Sequence, residues 1–518
     1  MRRSNLSVVA FTSLPEARPV ENIANISVVH RLPAPRKLGR DLPLSDEERE
    51  KRLEQEIRIA DYFASETQIQ HSQSQIRSIE SVKRTHGYFQ LKIRELYWTL
   101  TRLIGLAHMH DGSRPRPSHK KRPAAPKKLA SRGVSPAAPG RVFLDVTPTH
   151  RFGRDTGIQR VVREIAKRTV EQGTAFPVII EDGRLIPYYD DPAFPPTIDI
   201  EAGDKLLLLD ASWGMAEEYL PILRRVSDRG GQIISVIYDL IPLLQPFSVS
   251  ADLTRRFEEW FEIVVLKSDA VMCISQCVAT EFCDYIARHD YLTKPHFRVG
   301  WWRLGADFEP ANPRPVSASA KEIARDDAPF FLSVGTLEPR KGYAIALAAF
   351  DILWRAGSNA RYVVIGRPGW QSESIEMRIR RHPEFGRGLI WLDDASDADL
   401  RYCYERAHAL VYASAFEGFG LPLVEAARHG LPIIASDLPI FHEIGGDHPR
   451  YFKLLDAADL AQKIQDALDA PTRKILAPVY TWDDSASSLI NIISKKIYQE
   501  RIRYQAPMLG EESRSLYG

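Results

Sequence analysis

Ala415-Phe416-Glu417-Gly418-Phe419-Gly420-Leu421-Pro422-Leu423-Val424-Glu425-Ala426 is the stretch that decides how this chain reads. Two carboxylates stand eight positions apart, with a glycine-rich turn between them. Gly418 and Gly420 have no Cβ, so the backbone there can bend sharply and lie close to a ligand. Pro422 suits the first turn of a helix and Gly430 its end. The spacing predicts a strand, a turn and a helix, with Glu417 in the loop and Glu425 one helical turn in. N–H groups at such a helix start, backed by the helix dipole, suit an anion such as a diphosphate. The two carboxylates can face one pocket and accept hydrogen bonds from sugar hydroxyls. Taken without their neighbours, the same residues also describe a plain strand-turn-helix with two surface acids.

Outward from this motif the pattern alternates. Phe330–Val334, Tyr362–Ile365, Ala409–Tyr412 and Pro432–Ala435 read as buried strands, and Gly342–Arg355 and Asp397–Ala407 as helices. Val334-Gly335-Thr336-Leu337-Glu338-Pro339-Arg340-Lys341-Gly342 follows the first of these strands. Arg340 and Lys341 can both neutralise a diphosphate. A second alternating set begins at Arg141, with strands at 142–146, 205–209, 232–238, 270–274 and 297–301. Between the sets lie a proline-rich break at 309–315 and a polar stretch to Asp327. Alternation of this kind predicts doubly wound parallel sheets.

At 518 residues the chain is too long for one ordinary core. A net charge of +2 offers no steering toward nucleic acid. The cysteines at 273, 277, 283 and 403 make neither a disulfide framework nor a zinc pattern, which points to free thiols in a reducing compartment. No apolar run approaches the roughly 20 residues that span a bilayer, and Met1–Leu14 does not read as a signal peptide. The domain plan is a disordered segment at 1–45, a helical extension at 46–110 and a basic Pro/Ala-rich linker at 111–139. One Rossmann-like domain follows at 140–312 and a second at 313–480, and the segment at 481–518, through Thr481-Trp482-Asp483-Asp484, resembles a crossover helix and tail. The 46–139 region combines an amphipathic stretch with a basic linker. It suits either packing on protein or contact with an anionic membrane surface.

The motif resembles the signature of the family-four retaining glycosyltransferases, whose pattern is Glu-Gly-Phe-Gly-Leu-Pro and then Glu-Ala with seven residues between the acids. The resemblance implies the GT-B fold, two Rossmann-like domains facing a cleft. It implies that Glu417 lies beside the donor sugar, that Glu425 holds the nucleotide ribose, and that Gly418, Phe419, Gly420 and Leu421 line the donor. Lys341 is similar to the family's diphosphate-binding cation. Thr336 stands where many relatives carry an arginine that Arg340 would replace. Gly366, in Ile365-Gly366-Arg367-Pro368-Gly369-Trp370, is similar to a loop near the nucleotide, and Trp391–Asp394 to a base-pocket segment. In the first half, Gly153–Arg160, with Thr156 and Gly157, looks like the loop under the transferred sugar or acceptor. Tyr238-Asp239 occupies the place of a His-Asp pair, which leaves Asp239 as the candidate contact. His150 is a further polar residue in the loop after the first strand.

The resemblance thus implies a retaining, metal-independent hexosyltransferase with no cofactor beyond its nucleotide-sugar donor. The donor would be GDP-mannose or a UDP-sugar, and the acceptor a saccharide or lipid-linked saccharide in cell-surface polysaccharide synthesis. The expected location is cytoplasmic, with peripheral contact at the inner membrane face. The rival readings are a GT-B epimerase and a catalytically silent nucleotide-sugar-binding protein.

Overall fold

The computed structural model describes residues 140–153, 157–189, 195–289, 291–307, 315–325, 328–469 and 480–501. The expected segments at 1–45, 46–110 and 111–139 lie outside these residues.

Two sheets organise the described chain. The first contains β1 (Val142–Asp145), β2 (Phe176–Glu181), β3 (Arg184–Pro187), β4 (Lys205–Leu208), β5 (Gln232–Ile237), β6 (Ala270–Cys273) and β7 (Arg298–Trp301). The second contains β8 (Phe330–Val334), β9 (Arg361–Ile365), β10 (Leu389–Leu392), β11 (Ala409–Tyr412), β12 (Ile433–Ser436) and β13 (Arg450–Phe452). A last strand, β14 (Glu500–Arg501), returns to pair with β7 in the first sheet. The orders are β14-β7-β6-β5-β4-β1-β2-β3 and β10-β9-β8-β11-β12-β13. β1, β4, β6, β9, β11 and β12 are buried at every residue, as strands covered on both faces must be.

These are two Rossmann-like α/β halves, the arrangement that the resemblance implies. Two edges depart from the parallel expectation. β3 runs antiparallel to β2 as the second arm of a hairpin, and β14 runs antiparallel to β7. The hairpin turns at Asp182-Gly183, both with positive φ, because a tight two-residue turn between twisted strands demands it.

Each sheet reverses its strand order once, between β1 and β4 and between β8 and β11. Loops leaving neighbouring strands diverge at such a point and open a crevice beyond the strand ends. Seven helices matter below: α1 (Gly157–Glu171), α2 (Gln276–Arg288), α3 (Tyr343–Arg355), α4 (Asp397–Arg406), α5 (Leu421–Arg428), α6 (Pro439–Gly445) and α7 (Trp482–Lys495). α7 belongs to the first half. Its Trp482, Ala486, Leu489, Ile490 and Ile493 join the core with α1 and the β1, β5 and β6 strands. A Thr481/Asp484 capping box starts it, and Asp307 Oδ1 accepts the Trp482 N–H at 2.5 Å.

Candidate active site

The second half's switch point gathers the charges that the sequence singled out. After β8 the chain passes Gly335 and forms one 3₁₀ turn, Pro339–Lys341, before α3 begins at Tyr343. The expected helix start at Gly342 is therefore a left-handed linking residue, with φ 68°. After β11 the chain runs through Ser414 and Glu417 into α5. The two loops are tied by the Ala415 N–H donating to the Arg340 carbonyl at 2.7 Å.

Lys341 Nζ lies 2.5 Å from Glu417 Oε1, and Arg340 Nη1 lies 3.4 Å from Glu417 Oε2. The Tyr412 and Ser414 hydroxyls donate to Glu417 Oε1 at 2.7 and 2.8 Å. The Glu417 side chain is only 9% exposed. Burial by itself would raise its carboxyl. Lys341, Arg340 and the hydrogen bonds from Lys341 and Tyr412 outweigh that and hold it down at about 2. Burial, with Arg340 nearby, pulls the Lys341 ammonium below its ordinary value against the support of Glu417. Burial opposes the Arg340 charge too, but Glu338, Glu417 and Asp239 more than offset it. Thr336 also acts here. Its hydroxyl donates to Glu338 Oε1 at 2.7 Å, and Glu338 Oε2 accepts from Arg340 Nε at 2.8 Å, so Thr336 steadies the arginine through Glu338. Gly366 lies against the Gly335 carbonyl, and its own carbonyl accepts from Trp391 Nε1 at 2.8 Å.

The first half brings Asp239 to the same place. Burial raises its carboxyl, Arg340 and the Ile241 N–H lower it, and Glu417 raises it again. Tyr238 turns away. It is 7% exposed and its hydroxyl donates to the Leu209 carbonyl at 2.8 Å, so its side chain is a core member of the first half. The halves touch at Gly418: a methyl group built there would meet the Tyr238 carbonyl oxygen at 2.1 Å. Only glycine permits that approach. The Gly418 carbonyl accepts from Ser275 Oγ at 2.9 Å. Gly420 takes φ 101°, which lets the chain turn into α5.

Phe419, 4% exposed, packs into the first half's core, where burying a phenylalanine contributes about 1.5–3 kcal/mol. Leu421 leans on the same core, and a methyl group built on Gly157 would lie 3.7 Å from its Cδ1. Thr156 lies outside the described residues. His150 meets the Tyr188 ring edge-on at 5.6 Å.

Glu425 is 3% exposed, inside α5. Its Oε2 accepts from the Tyr404 hydroxyl at 2.8 Å, and its Oε1 is ion-paired with Arg160 Nη1, which reaches over from the first half. A further cross-half contact is Glu443 of α6. It accepts the Gln276 and Cys277 N–H groups at 2.8 and 2.7 Å, capping α2 from the opposite half.

Sequence reasoning assigned no role to Arg160, Tyr404, Tyr412, Ser414, Glu338 or Glu443. Tyr412 and Ser414 stand directly before the motif, and Glu338 lies within the basic loop, so adjacency was an available signal. Arg160 lies in the Gly153–Arg160 stretch, but its partner is 265 positions away. Among the described residues, no group of three or more His, Cys, Asp or Glu is arranged to hold a metal ion.

Residues 317–507 match the family model "Glycosyl transferases group 1". Over 373 residues the chain is 32% identical to the serotype-specific mannosyltransferase WbdA of Escherichia coli, covering 68% of this chain and 46% of that protein. Over 172 residues it is 31% identical to O-antigen chain mannosyltransferase B of Escherichia coli, covering 31% of this chain and 45% of that protein. The chain thus spans under half the length of both relatives. Among solved structures, sucrose-phosphate synthase from Thermosynechococcus elongatus superposes with a TM-score of 0.49 at 17% identity, over 69% of this chain and 99% of that one. Residues 317–507 thus match the glycosyl transferases group 1 family model, and the chain is similar to O-antigen mannosyltransferases.

Proposed function

We propose that this chain is a retaining glycosyltransferase that moves a hexose, mannose as the first choice, from a nucleotide-diphosphate sugar to a saccharide or lipid-linked acceptor. The reading is carried by the buried Glu417–Lys341–Arg340 cluster, which Asp239 approaches from the other half. The similarity to O-antigen mannosyltransferases supports mannose, GDP-mannose as donor and a role in cell-surface polysaccharide synthesis.

In this mechanism the donor diphosphate enters beside Arg340 and Lys341 and competes with Glu417 for them. The bond between the anomeric carbon and the phosphate oxygen breaks, and the nucleoside diphosphate takes the electron pair. The two cations neutralise its growing charge, the part that a divalent ion plays elsewhere. The acceptor hydroxyl attacks from the same face of the sugar, and its proton passes to the leaving phosphate oxygen. Glu417 and Asp239 hold the sugar, and Glu425 holds the ribose. No further cofactor takes part. Cytoplasmic placement with peripheral membrane contact belongs to the same proposal. No helix of the described residues is long and apolar enough to cross a membrane.

One observation favours a second reading. Tyr238 stands where a histidine would meet the donor sugar, and its hydroxyl is committed to Leu209, which suits a protein that binds a nucleotide sugar without transferring it. Incubating the purified chain with radiolabelled GDP-mannose, UDP-glucose and UDP-galactose and a panel of mannosyl and lipid-linked acceptors separates the two. Labelled product with GDP-mannose, of the same anomeric configuration as the donor, is expected. Donor binding without transfer to any acceptor would favour the second reading, and an inverted product would refute retention.

A further inference from the structure

Glu425, read above as the ribose carboxylate, is engaged on both oxygens. Tyr404 donates to Oε2 at 2.8 Å, and Arg160 is ion-paired with Oε1. The Glu425 side chain is 4% exposed and the Arg160 side chain 24%. A ribose diol needs a carboxylate face that accepts two hydroxyls side by side. Each oxygen has two acceptor positions, so Tyr404 leaves one open on Oε2, whereas the Arg160 guanidinium covers Oε1 and the side chain is left nearly inaccessible.

The two partners differ in kind. Tyr404 belongs to Glu425's own half. It is 1% exposed, stands on α4 and is stacked on His429 at 5.6 Å, so it stays with the carboxylate. Arg160 comes from the first turn of α1 in the other half, three residues after Gly157, which faces Leu421 at the start of α5. Separating the halves would carry Arg160 away from Glu425 and leave Tyr404 in place.

We infer that Arg160 is a cleft-spanning latch: its guanidinium holds the carboxylate that the ribose needs, so nucleotide binding must displace it. This rests on the reading of Glu425 as the ribose carboxylate. Its release couples nucleotide entry to separation of α1 from α5. The coupling appears as a lowered affinity of the unmodified protein for nucleotide, because only the unlatched fraction is competent to bind.

Isothermal titration of the full chain with GDP and with UDP tests the latch, using whichever nucleotide the unmodified protein binds. Arg160→Gln, which removes the charge, is expected to bind that nucleotide about fivefold to tenfold more tightly. Arg160→Lys keeps a cation without the guanidinium fork, disturbs packing less, and is expected to bind about twofold to threefold more tightly. Equal or weaker binding by both variants, with unchanged melting temperature, would overturn the latch. Glu425→Gln separates the two layers of the argument. If it leaves nucleotide affinity unchanged, the ribose assignment falls and the latch with it. If it weakens binding while the Arg160 variants show no gain, the latch alone falls.

Discussion

Replacing Gly418 with alanine tests the closest approach between the halves. The added methyl carbon would stand 2.1 Å from the Tyr238 carbonyl oxygen and 3.1 Å from Asp239 Cβ. Non-bonded carbon and oxygen do not approach that closely, so one backbone must retreat by about 1 Å. Neither is free to do so at little cost. Tyr238 directly follows β5 of the first sheet, and its hydroxyl is anchored to Leu209. Gly418 is held by Ser275, and Phe419 next to it is buried in the first half's core. The displacement therefore falls on the position of Glu417 relative to Asp239. Overpacking of this kind costs about 1–3 kcal/mol of stability. A misplacement of about 1 Å at a reacting centre costs about a hundredfold in rate. Steady-state sugar transfer, alongside thermal melting, is the assay. The expected outcome is a fall in kcat of about a hundredfold in a protein that still folds and still binds nucleotide within about threefold. A Gly418→Ala protein with unmodified kcat would refute the claim that this contact sets the geometry of the site.

Two further outcomes follow from the cross-half contacts and the buried cluster. Because the Glu417 carboxyl is depressed to about 2 in the folded state, its stabilising contribution is fully present above its unfolded value near 4.5 and is lost as pH falls toward 2. Urea unfolding from pH 3 to 7 should therefore show a gap between the unmodified protein and Glu417→Gln that is constant above about pH 5.5 and narrows below about pH 4.5; a gap that widens on acidification contradicts the assigned ion pairs. Glu443→Ala removes the acceptor for two α2 N–H groups and should cost about 1–2 kcal/mol in the same measurement, as lost helix caps do; a change under about 0.3 kcal/mol would show that water replaces the cap freely.

Much of the fold was legible locally because buried parallel strands leave a strong apolar signature. Phe330–Val334 and Ala409–Tyr412 were read with the bounds that the structure shows, and the strands at β1, β4 and β6 within a residue. The β2–β3 hairpin was missed, although Asp182-Gly183 is a turn signal that periodicity alone does not weigh. β14 is two residues long and exists only because β7 offers an edge, so no local pattern could announce it. At the candidate site, Glu417, Lys341, Arg340 and Glu425 stand out in the sequence because glycine turns and charge at strand ends are local features. Tyr404 and Arg160 do not, since their bond to Glu425 depends on how helices far apart in the chain are packed.

The sequence by itself determined the alternating strands and helices and the residue types that leave each strand end. Hydrophobic period, glycine turns and charge spacing act within a few residues and do not depend on the rest of the molecule. Tertiary structure decided which of those charges meet. It put Lys341 and Arg340 on Glu417, set Asp239 beside them, and turned Tyr238 into the core. It also gave Glu425 to Arg160 across the cleft. Hydrogen bonds need heavy atoms within about 3 Å and screened Coulomb energies fade over about 10 Å, so both are fixed by distances that only the packing of the two halves can set.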